Sequence, residues 1–152
     1  MDMFDTLLER KLPKIKEAGY RVASPSSKKY NCIAWSTGRD DIWIWPIRFS
    51  WPSNIERNLN LSSFIDFYQS YGYDISEDDK FEEGYDKIAI YIHPDNGNVT
   101  HTTRQLESGK WTSKLGSYKD IEHSTLDSLI GCDYGIIAMI MKRKKEVKKW
   151  VC

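Results

Sequence analysis

The chain has 152 residues, and its 22 basic and 22 acidic side chains cancel to a formal net charge of zero. A chain of this length fits one domain and buries about two-thirds of its surface, so it needs neither disulfides nor a metal to fold. No apolar run reaches the roughly 18 residues of a membrane-spanning helix, and the acidic N-terminus does not match a secretory signal. We therefore expect a single domain over residues 1–152 with no membrane span.

The basic charge is concentrated near the C-terminus. Residues 142–149 hold 6 basic and 1 acidic side chain, which leaves 16 basic against 21 acidic residues elsewhere, a net charge of −5. We expect a basic, solvated tail at about 142–152, and the acidic remainder argues against nucleic acid as the main partner. The 3 Cys are odd in number and scattered, which favours a reducing cytoplasm over a disulfide framework.

The first third of the chain is predicted to form short helices and loops. Residues 3–18 place apolar side chains at helical spacing, and Pro13 is expected to divide them into two helices. The apolar segment that begins at Cys32 is predicted to be a short helix with Asn31 as its N-cap. Residues 42–49 alternate poorly and contain a proline, so they are predicted to be a loop or an edge strand.

Tryptophans are concentrated beside the predicted short helix. Trp35, Trp43, Trp45 and Trp51 fall within 17 residues. We expect them to pack in a core, because aromatic side chains contribute the most burial per residue. The alternative is an aromatic wall that binds a peptide or a sugar, in which Trp35 and Trp43 contact the ligand.

The second half is predicted to be one helix followed by strands. Apolar residues recur at spacings of three and four over 61–71, which predicts an amphipathic helix with Ser62 or Ser63 as its cap. The period then changes to two, with turn residues between the segments. The predicted strands are 87–92, 98–106, 111–115 and 134–141, with a short helix from about 124 to 130. This order indicates an α+β fold with N-terminal helices packed on an antiparallel β-sheet meander.

Cys32 and His101 are the candidate catalytic pair. A thiol at the start of a helix lies near free backbone N–H groups, and a catalytic thiol needs a base, usually His, that a third group orients. His101 follows 69 residues later on the second predicted strand, where alternation gives it the same face as Gln105. Ser113 and Asp120 are the candidates to orient its ring. The alternatives are a buried structural Cys32 and an exposed His101.

The other clusters of potentially functional residues do not indicate a metal or cofactor site. His93, His101 and His123 lack the spacing of helical metal ligands, and no glycine-rich phosphate loop is present, so we expect neither a metal nor a cofactor. His123 is the alternative base. Arg104 and Lys114 have the parity opposite to His101 and are expected to face solvent, with binding of an anionic group as the alternative.

Four segments resemble an uncharacterised, mainly bacterial protein family over roughly residues 10–143. They are Tyr30-Asn31-Cys32-Ile33-Ala34-Trp35, Thr100-His101-Thr102-Thr103-Arg104-Gln105-Leu106, Trp111-Thr112-Ser113-Lys114-Leu115-Gly116 and Asp120-Ile121-Glu122-His123. More distantly, a Cys that opens a helix and a later His on an antiparallel strand resemble the papain-like cysteine hydrolases. That superfamily includes cell-wall amidases, transglutaminase-like enzymes and deamidases. The resemblance implies a papain-like core.

Two functions follow from these expectations. The first is a cytoplasmic thiol hydrolase or acyl-transfer enzyme of amidase, peptidase or deamidase type, in which Cys32 attacks a carbonyl and His101 moves the proton. Ser113 or Asp120 would orient the imidazole, and the Cys32 N–H with Asn31 would stabilise the oxyanion. The alternative is a non-catalytic protein-interaction module of the same fold, such as a bacterial immunity, toxin-associated or anti-defence factor. Either reading predicts a protein or peptide partner.

Overall fold

A computed structural model describes residues 10, 12, 14, 15, 19–24, 27–115, 120–131 and 134–145. Within these residues the chain has an α+β fold. Its elements are β1 (Tyr20–Ser24), α1 (Cys32–Ser36), α2 (Leu61–Ser70), β2 (Asp74–Ser76), β3 (Tyr85–Ile92), β4 (Val99–Gln105), β5 (Trp111–Lys114), β6 (Asp120–His123), a short 3-10 helix (Leu126–Leu129) and β7 (Ile136–Lys144). The helices predicted over 3–18 lie largely outside the described residues, although Leu12 and Ile15 are described and buried.

The strands form one antiparallel sheet in the order β1-β6-β5-β4-β3-β7-β2. Strands β3 to β6 are neighbours in chain order, so the expected meander is confirmed. A turn that contains Gly97, with φ of 72°, joins β3 to β4. This left-handed conformation explains why the Asp-Asn-Gly sequence specifies the hairpin. Strand β7 pairs along the whole of β3 on its other side.

Most predicted elements are present, and the differences occur at short segments. The structure adds β1, β2 and β6, which are five, three and four residues long and lack an apolar run that would have revealed them. Helix α2 begins after Asn60, so the predicted serine caps are wrong, and the Asn60 side chain makes no capping hydrogen bond. Residues 42–49 are a loop, with one isolated bridge between Ile44 and Ser50.

Side chains on β3 alternate between two apolar clusters. Ile88 and Ile90 pack on one face with Met141 of β7, and both helices cover this side, which we call the helix face. Ala89 and Tyr91 pack on the opposite side, which we call the far face. Because each face of the sheet is covered, the centre of β3 is buried on both sides, which explains its nearly continuous apolar sequence.

The clustered tryptophans divide between core and periphery. Trp51 is 8% exposed and stacks on Phe67 of α2 with ring centroids 4.7 Å apart. Trp45 meets Phe64 of the same helix at 5.6 Å in an edge-to-face arrangement. The predicted aromatic core is therefore confirmed for this part of the segment. Trp43 is partly buried and packs against the exposed Phe49, with ring centroids 5.6 Å apart.

The start of the basic segment belongs to the sheet. Lys142, Arg143 and Lys144 are the last residues of β7, and the Lys142 ammonium contacts Glu82 at 3.1 Å. Residues 146–152 lie outside the described part of the chain. Among the described helices, none combines the length and apolar character that crossing a membrane requires.

Substitutions at two glycines distinguish the cost of steric overlap from the cost of backbone strain. Gly135 and Gly97 both have positive φ, but a Cβ added at Gly135 would overlap the carbonyl oxygen of Ile92, whereas one at Gly97 would meet nothing within 4 Å. We expect Gly97→Ala to lower the free energy of unfolding by about 1–2 kcal/mol, from strain alone. Gly135→Ala should add about 1–3 kcal/mol of overpacking. Urea unfolding checks this, and equal losses in the two variants would contradict it.

Candidate functional site

The Asn31 side chain fixes both the start of α1 and the loop beside it. Its Oδ1 accepts hydrogen bonds from the backbone N–H of Ala34, at 3.2 Å, and of Ile44, at 3.1 Å. Its Nδ2 donates to the Ile44 carbonyl at 2.7 Å. The predicted N-cap is thus confirmed, and the same amide also holds the aromatic loop against the helix.

Cys32 is the first residue of α1 and is 7% exposed. Burial raises the pKa of the Cys32 thiol to about 11, and backbone N–H groups of Thr102 and Ile33 offset this only in part. Lys114 also lowers the thiol pKa through its charge. In this arrangement the thiol is neutral at pH 7, because desolvation outweighs the groups that favour the thiolate.

A cavity of about 410 Å³ opens beside Cys32. Four of the sequence-predicted site residues line it: Asn31, Cys32, Trp43 and His101. Its other lining residues are Trp45, Phe49, Thr100, Leu115 and Tyr134. Since Leu115 directly follows β5, the cavity lies at the margin of the sheet where β5 ends. It is mostly apolar, and its reactive or polar side-chain groups are the thiol, one imidazole, one amide, two hydroxyls and two indole N–H groups.

His101 belongs to the far face of the sheet. It pairs with Tyr91 in the β3–β4 register, and its ring lies 5.7 Å from that of Tyr91 and 4.5 Å from that of Tyr134. The residue is 1% exposed, and Nε2 has no hydrogen-bond partner among the described residues. Burial, together with the smaller effect of the nearby His123, lowers the pKa of His101 to about 3.

The thiol and the imidazole therefore reach the cavity from opposite faces. Cys32 packs in the helix-face cluster with Ile88 and Ile90, whereas His101 packs against the far-face residue Tyr91. Within the described part of the chain, no hydrogen bond joins Cys32 to His101. The structure brings the two residues to one cavity without a hydrogen bond between them in the described part of the chain, and the catalytic pair stays a prediction.

Ser113 has a different imidazole partner from the one predicted. Arg104 pairs with Thr112 across β4 and β5, so Thr103, and not His101, lies opposite Ser113. The Ser113 hydroxyl oxygen lies 2.7 Å from Thr103 Oγ1 and 2.8 Å from His123 Nε2.

His123 completes this buried network on the far face. Its Nδ1 lies 2.9 Å from the Thr125 carbonyl, which requires the proton on Nδ1 and leaves Nε2 as the acceptor. With Nε2 accepting, the Ser113 hydroxyl points either to Thr103 or to His123. Burial lowers the pKa of His123 to about 4. The side chain is 1% exposed and does not line the Cys32 cavity.

Asp120 lies on the helix face in a buried charged group. Its Oδ2 accepts a hydrogen bond from the Tyr30 hydroxyl at 2.5 Å, and its Oδ1 has no partner among the described residues. Burial, together with Asp120, raises the pKa of Tyr30. Lys114 is paired with Asp120 in the β5–β6 register, and its ammonium lies 5.2 Å from the Tyr30 ring. Asp120 therefore neighbours Tyr30 and Lys114.

Lys114 and Arg104 were expected to face solvent, and this prediction is wrong. Lys114 is fully buried, and Arg104 is largely covered. Both are on the helix face, and α1 packs over β4 and β5 there. The sequence places both residues on the strand face opposite to His101, and that face was expected to be exposed. In the structure α1 covers this face, so it lies in the interior of the protein. Lys114, with its effect on the thiol pKa, is the site residue that sequence reasoning missed.

The remaining two predicted binding residues lie outside the Cys32 cavity. Trp35 donates its indole N–H to Thr112 at 3.4 Å, and its ring supports the Arg104 guanidinium. Gln105 donates to the carbonyls of Asp79 and Gly109, both at 3.2 Å. In the described residues, no group of three His, Cys, Asp or Glu side chains is arranged to hold a metal ion.

Two N-cap asparagines provide a matched test of the Asn31 amide. Asn31→Ala should lower the free energy of unfolding by about 2–4 kcal/mol, because it removes a cap and leaves the Ile44 backbone groups buried without partners. Asn60→Ala should cost less than about 0.5 kcal/mol, since that side chain makes no capping bond. Urea unfolding of both variants measures the difference, and similar losses would refute the role of Asn31.

Because both imidazoles are buried, we expect the free energy of unfolding to decrease in mild acid. The folded pKa values of about 3 for His101 and about 4 for His123 lie below the ordinary 6.5, so the unfolded chain binds more protons between these limits. Their contribution is complete above about pH 6.5 and decreases as the pH falls toward the folded values. From pH 7 to pH 5 we expect a loss of about 2–4 kcal/mol.

The variant His101→Phe identifies the source of this slope. Phe keeps an aromatic ring beside Tyr134 but binds no proton, so unfolding at pH 5 and pH 7 should show a smaller difference than in the wild type. His93→Gln, at an exposed position, is the control and should leave the difference unchanged. An unchanged difference in His101→Phe would exclude His101 as a cause.

Comparison with known families identifies most of this structure as one domain type. The family model described as "Domain of unknown function (DUF7689)" matches residues 21–142, which include β1 through most of β7 and all the site residues above. No curated protein matches the chain. No solved structure matches it either. The chain belongs to the DUF7689 family.

Proposed function

We propose that the protein is a thiol hydrolase or acyl-transfer enzyme of amidase, peptidase or deamidase type, built on a papain-like core. One observation supports this most: Asn31, Cys32, Trp43 and His101, from three separate segments, line one cavity. A cytoplasmic location is part of the proposal, because three scattered cysteines suit a reducing compartment. The substrate is a protein or peptide amide.

In the proposed reaction, Cys32 Sγ attacks the amide carbonyl carbon and forms a C–S bond, while the thiol proton moves to an imidazole nitrogen of His101. The C–N bond then breaks, and the leaving nitrogen takes that proton from the imidazolium. Water, or an acceptor amine, attacks the resulting thioester with His101 again as base. This releases the acid or the new amide and restores the thiol.

The first turn of α1 supplies the electrostatic support for this step. The N–H groups at the start of a helix have no partner within it, and in the resting site the Cys32 N–H favours the charged form of its own thiol. In this scheme that N–H donates instead to the developing oxyanion. The Asn31 amide is occupied by Ala34 and Ile44, so it acts by holding the turn in place. Asn31 is therefore a positioning residue in this scheme.

The proposal requires the His101 ring to turn toward the thiol at the margin of the sheet. The ring nitrogen Nε2 has no hydrogen-bond partner in the described residues, so turning loses no hydrogen bond at this atom. The resting pair is neutral, since burial raises the thiol pKa and lowers the imidazole pKa. A substrate carbonyl in the cavity is what makes proton transfer to His101 productive.

An aromatic acyl ester tests the thiol. The 4-nitrophenyl ester of phenylacetic acid suits the aromatic wall formed by Trp43 and Phe49. We expect release of nitrophenolate and a phenylacetyl adduct on Cys32, found by peptide mass spectrometry. Cys32→Ala should abolish this adduct, and His101→Asn should slow it by about 100-fold or more. Cys152→Ala is the control for unselective acylation and should leave the Cys32 rate unchanged.

Two outcomes of the same measurement would contradict the proposal or its choice of base. If Cys32 stays unmodified in the native protein and reacts only after denaturation, Cys32 is not a nucleophile and the enzyme proposal fails. If Cys32 is acylated at the same rate in His101→Asn, the base has been assigned to the wrong residue, and His123→Asn is then tested in the same way.

The second candidate is a non-catalytic protein-interaction module of the same fold, such as a bacterial immunity, toxin-associated or anti-defence factor. The observation that favours it is the exposed apolar tip of the loop beside the cavity, where Ile47 is 44% and Phe49 is 48% exposed. Exposed aromatic and aliphatic side chains anchor protein interfaces. An inert Cys32 in the ester experiment, with these side chains still exposed, would favour this candidate.

A further inference from the structure

The Arg104 guanidinium is an incompletely paired cation on the helix face. Its Cζ lies 4.2 Å from the centre of the Trp35 ring, so the group is held by a cation–π contact. Among the described residues it makes no hydrogen bond and no ion pair. The Arg104 side chain is partly buried, and this burial lowers the pKa of its guanidinium. A guanidinium has five N–H donors, and partial burial makes leaving them unbonded unfavourable.

Arg104 lines a cavity of about 240 Å³. Its other lining residues include Gly38, which follows α1, and Tyr73, which precedes β2. The Tyr73 hydroxyl lies 3.4 Å from the Ser36 carbonyl, so it is engaged with α1. None of these residues lines the Cys32 cavity, which makes this a second and separate site.

The carboxylates at this cavity already have partners of their own. Asp86 pairs with Arg143 at 3.4 Å, and Glu107 pairs with Lys145 at 3.2 Å. These four lining side chains therefore balance in charge. Arg104 adds one positive charge to this lining. Asp86 and Asp120 favour its charged form from a distance, but neither makes a hydrogen bond or an ion pair with it among the described residues. The cavity thus has a net positive charge located at Arg104.

We propose that this cavity binds a small oxoanion, a carboxylate or phosphate group, through a two-point contact with Arg104. The planar fork of a guanidinium matches the oxygen spacing of both groups, which explains arginine at this position. A volume of about 240 Å³ suits a group of this size, since drug-sized ligands occupy about 300–1,000 Å³. The inference is independent of the proposed thiol chemistry.

Titration with inorganic phosphate and with acetate, each at constant ionic strength, tests the site. The NMR signals of the Arg104 Nε–H and the Trp35 indole N–H report on it directly, because the two side chains are in contact. We expect both signals to shift and saturate at millimolar anion. Saturation with phosphate alone assigns a phosphate group, and saturation with acetate alone assigns a carboxylate. Shifts that never saturate for either anion would overturn the proposal.

Three variants distinguish anion binding at Arg104 from a general effect of positive charge on the protein surface. Arg104→Gln should weaken binding at least tenfold. Arg104→Lys keeps a cation over Trp35 and so protects folding, but it loses the two-point contact and should also weaken binding severalfold. Arg39→Gln, which removes an exposed arginine paired with Asp41, is the matched control and should bind as the wild type does. Unchanged affinity in Arg104→Lys and Arg104→Gln would refute the site.

Discussion

The alternation of side chains along β3 and β4 is the constraint on which the other features depend. Both strands lie inside the sheet with neighbours on each side, so successive residues must enter opposite apolar clusters. Ile90 packs under the helices, whereas Tyr91 and its partner His101 pack on the far side. A shift of one residue in this register would exchange the side chains that face the helix side with those that face the far side. The separation of the thiol from the imidazole follows from the same rule.

Asn31 connects this sheet architecture to the candidate site. Its amide caps α1, and α1 places Cys32 against β4; it also binds Ile44, and Ile44 fixes the loop that contains Trp43. One buried polar side chain thereby sets two walls of the cavity. A hydrophobic residue of similar size would leave the Ile44 N–H and carbonyl without partners, so the amide is difficult to replace.

Covering β4 and β5 with α1 also determines the electrostatics of the helix face. Lys114 and Asp120, which are paired across the sheet, become buried together, and Tyr30 adds its hydroxyl to the carboxylate. Arg104 is covered by the same helix but lacks a carboxylate partner among the described residues, and Trp35 supports it instead. The thiol lies among these groups, and desolvation controls its pKa more than any single charge does. Burial is therefore the main effect that the chemistry proposed at Cys32 has to overcome.

Local sequence was enough to predict the elements with strong periodic signals and the cap of α1. Helical spacing over 61–71, alternation with turn residues from 87 to 115, and Asn31 before an apolar segment all act within a few residues along the chain. Three of the four strands of three to five residues, β1, β2 and β6, escaped prediction because partner strands, and not local preference, stabilise them. Tertiary structure alone decided the register that gives Ser113 to His123 and the burial of Lys114. It also decided that Cys32 and His101 meet one cavity from opposite faces, because contacts between residues far apart in sequence set all three results.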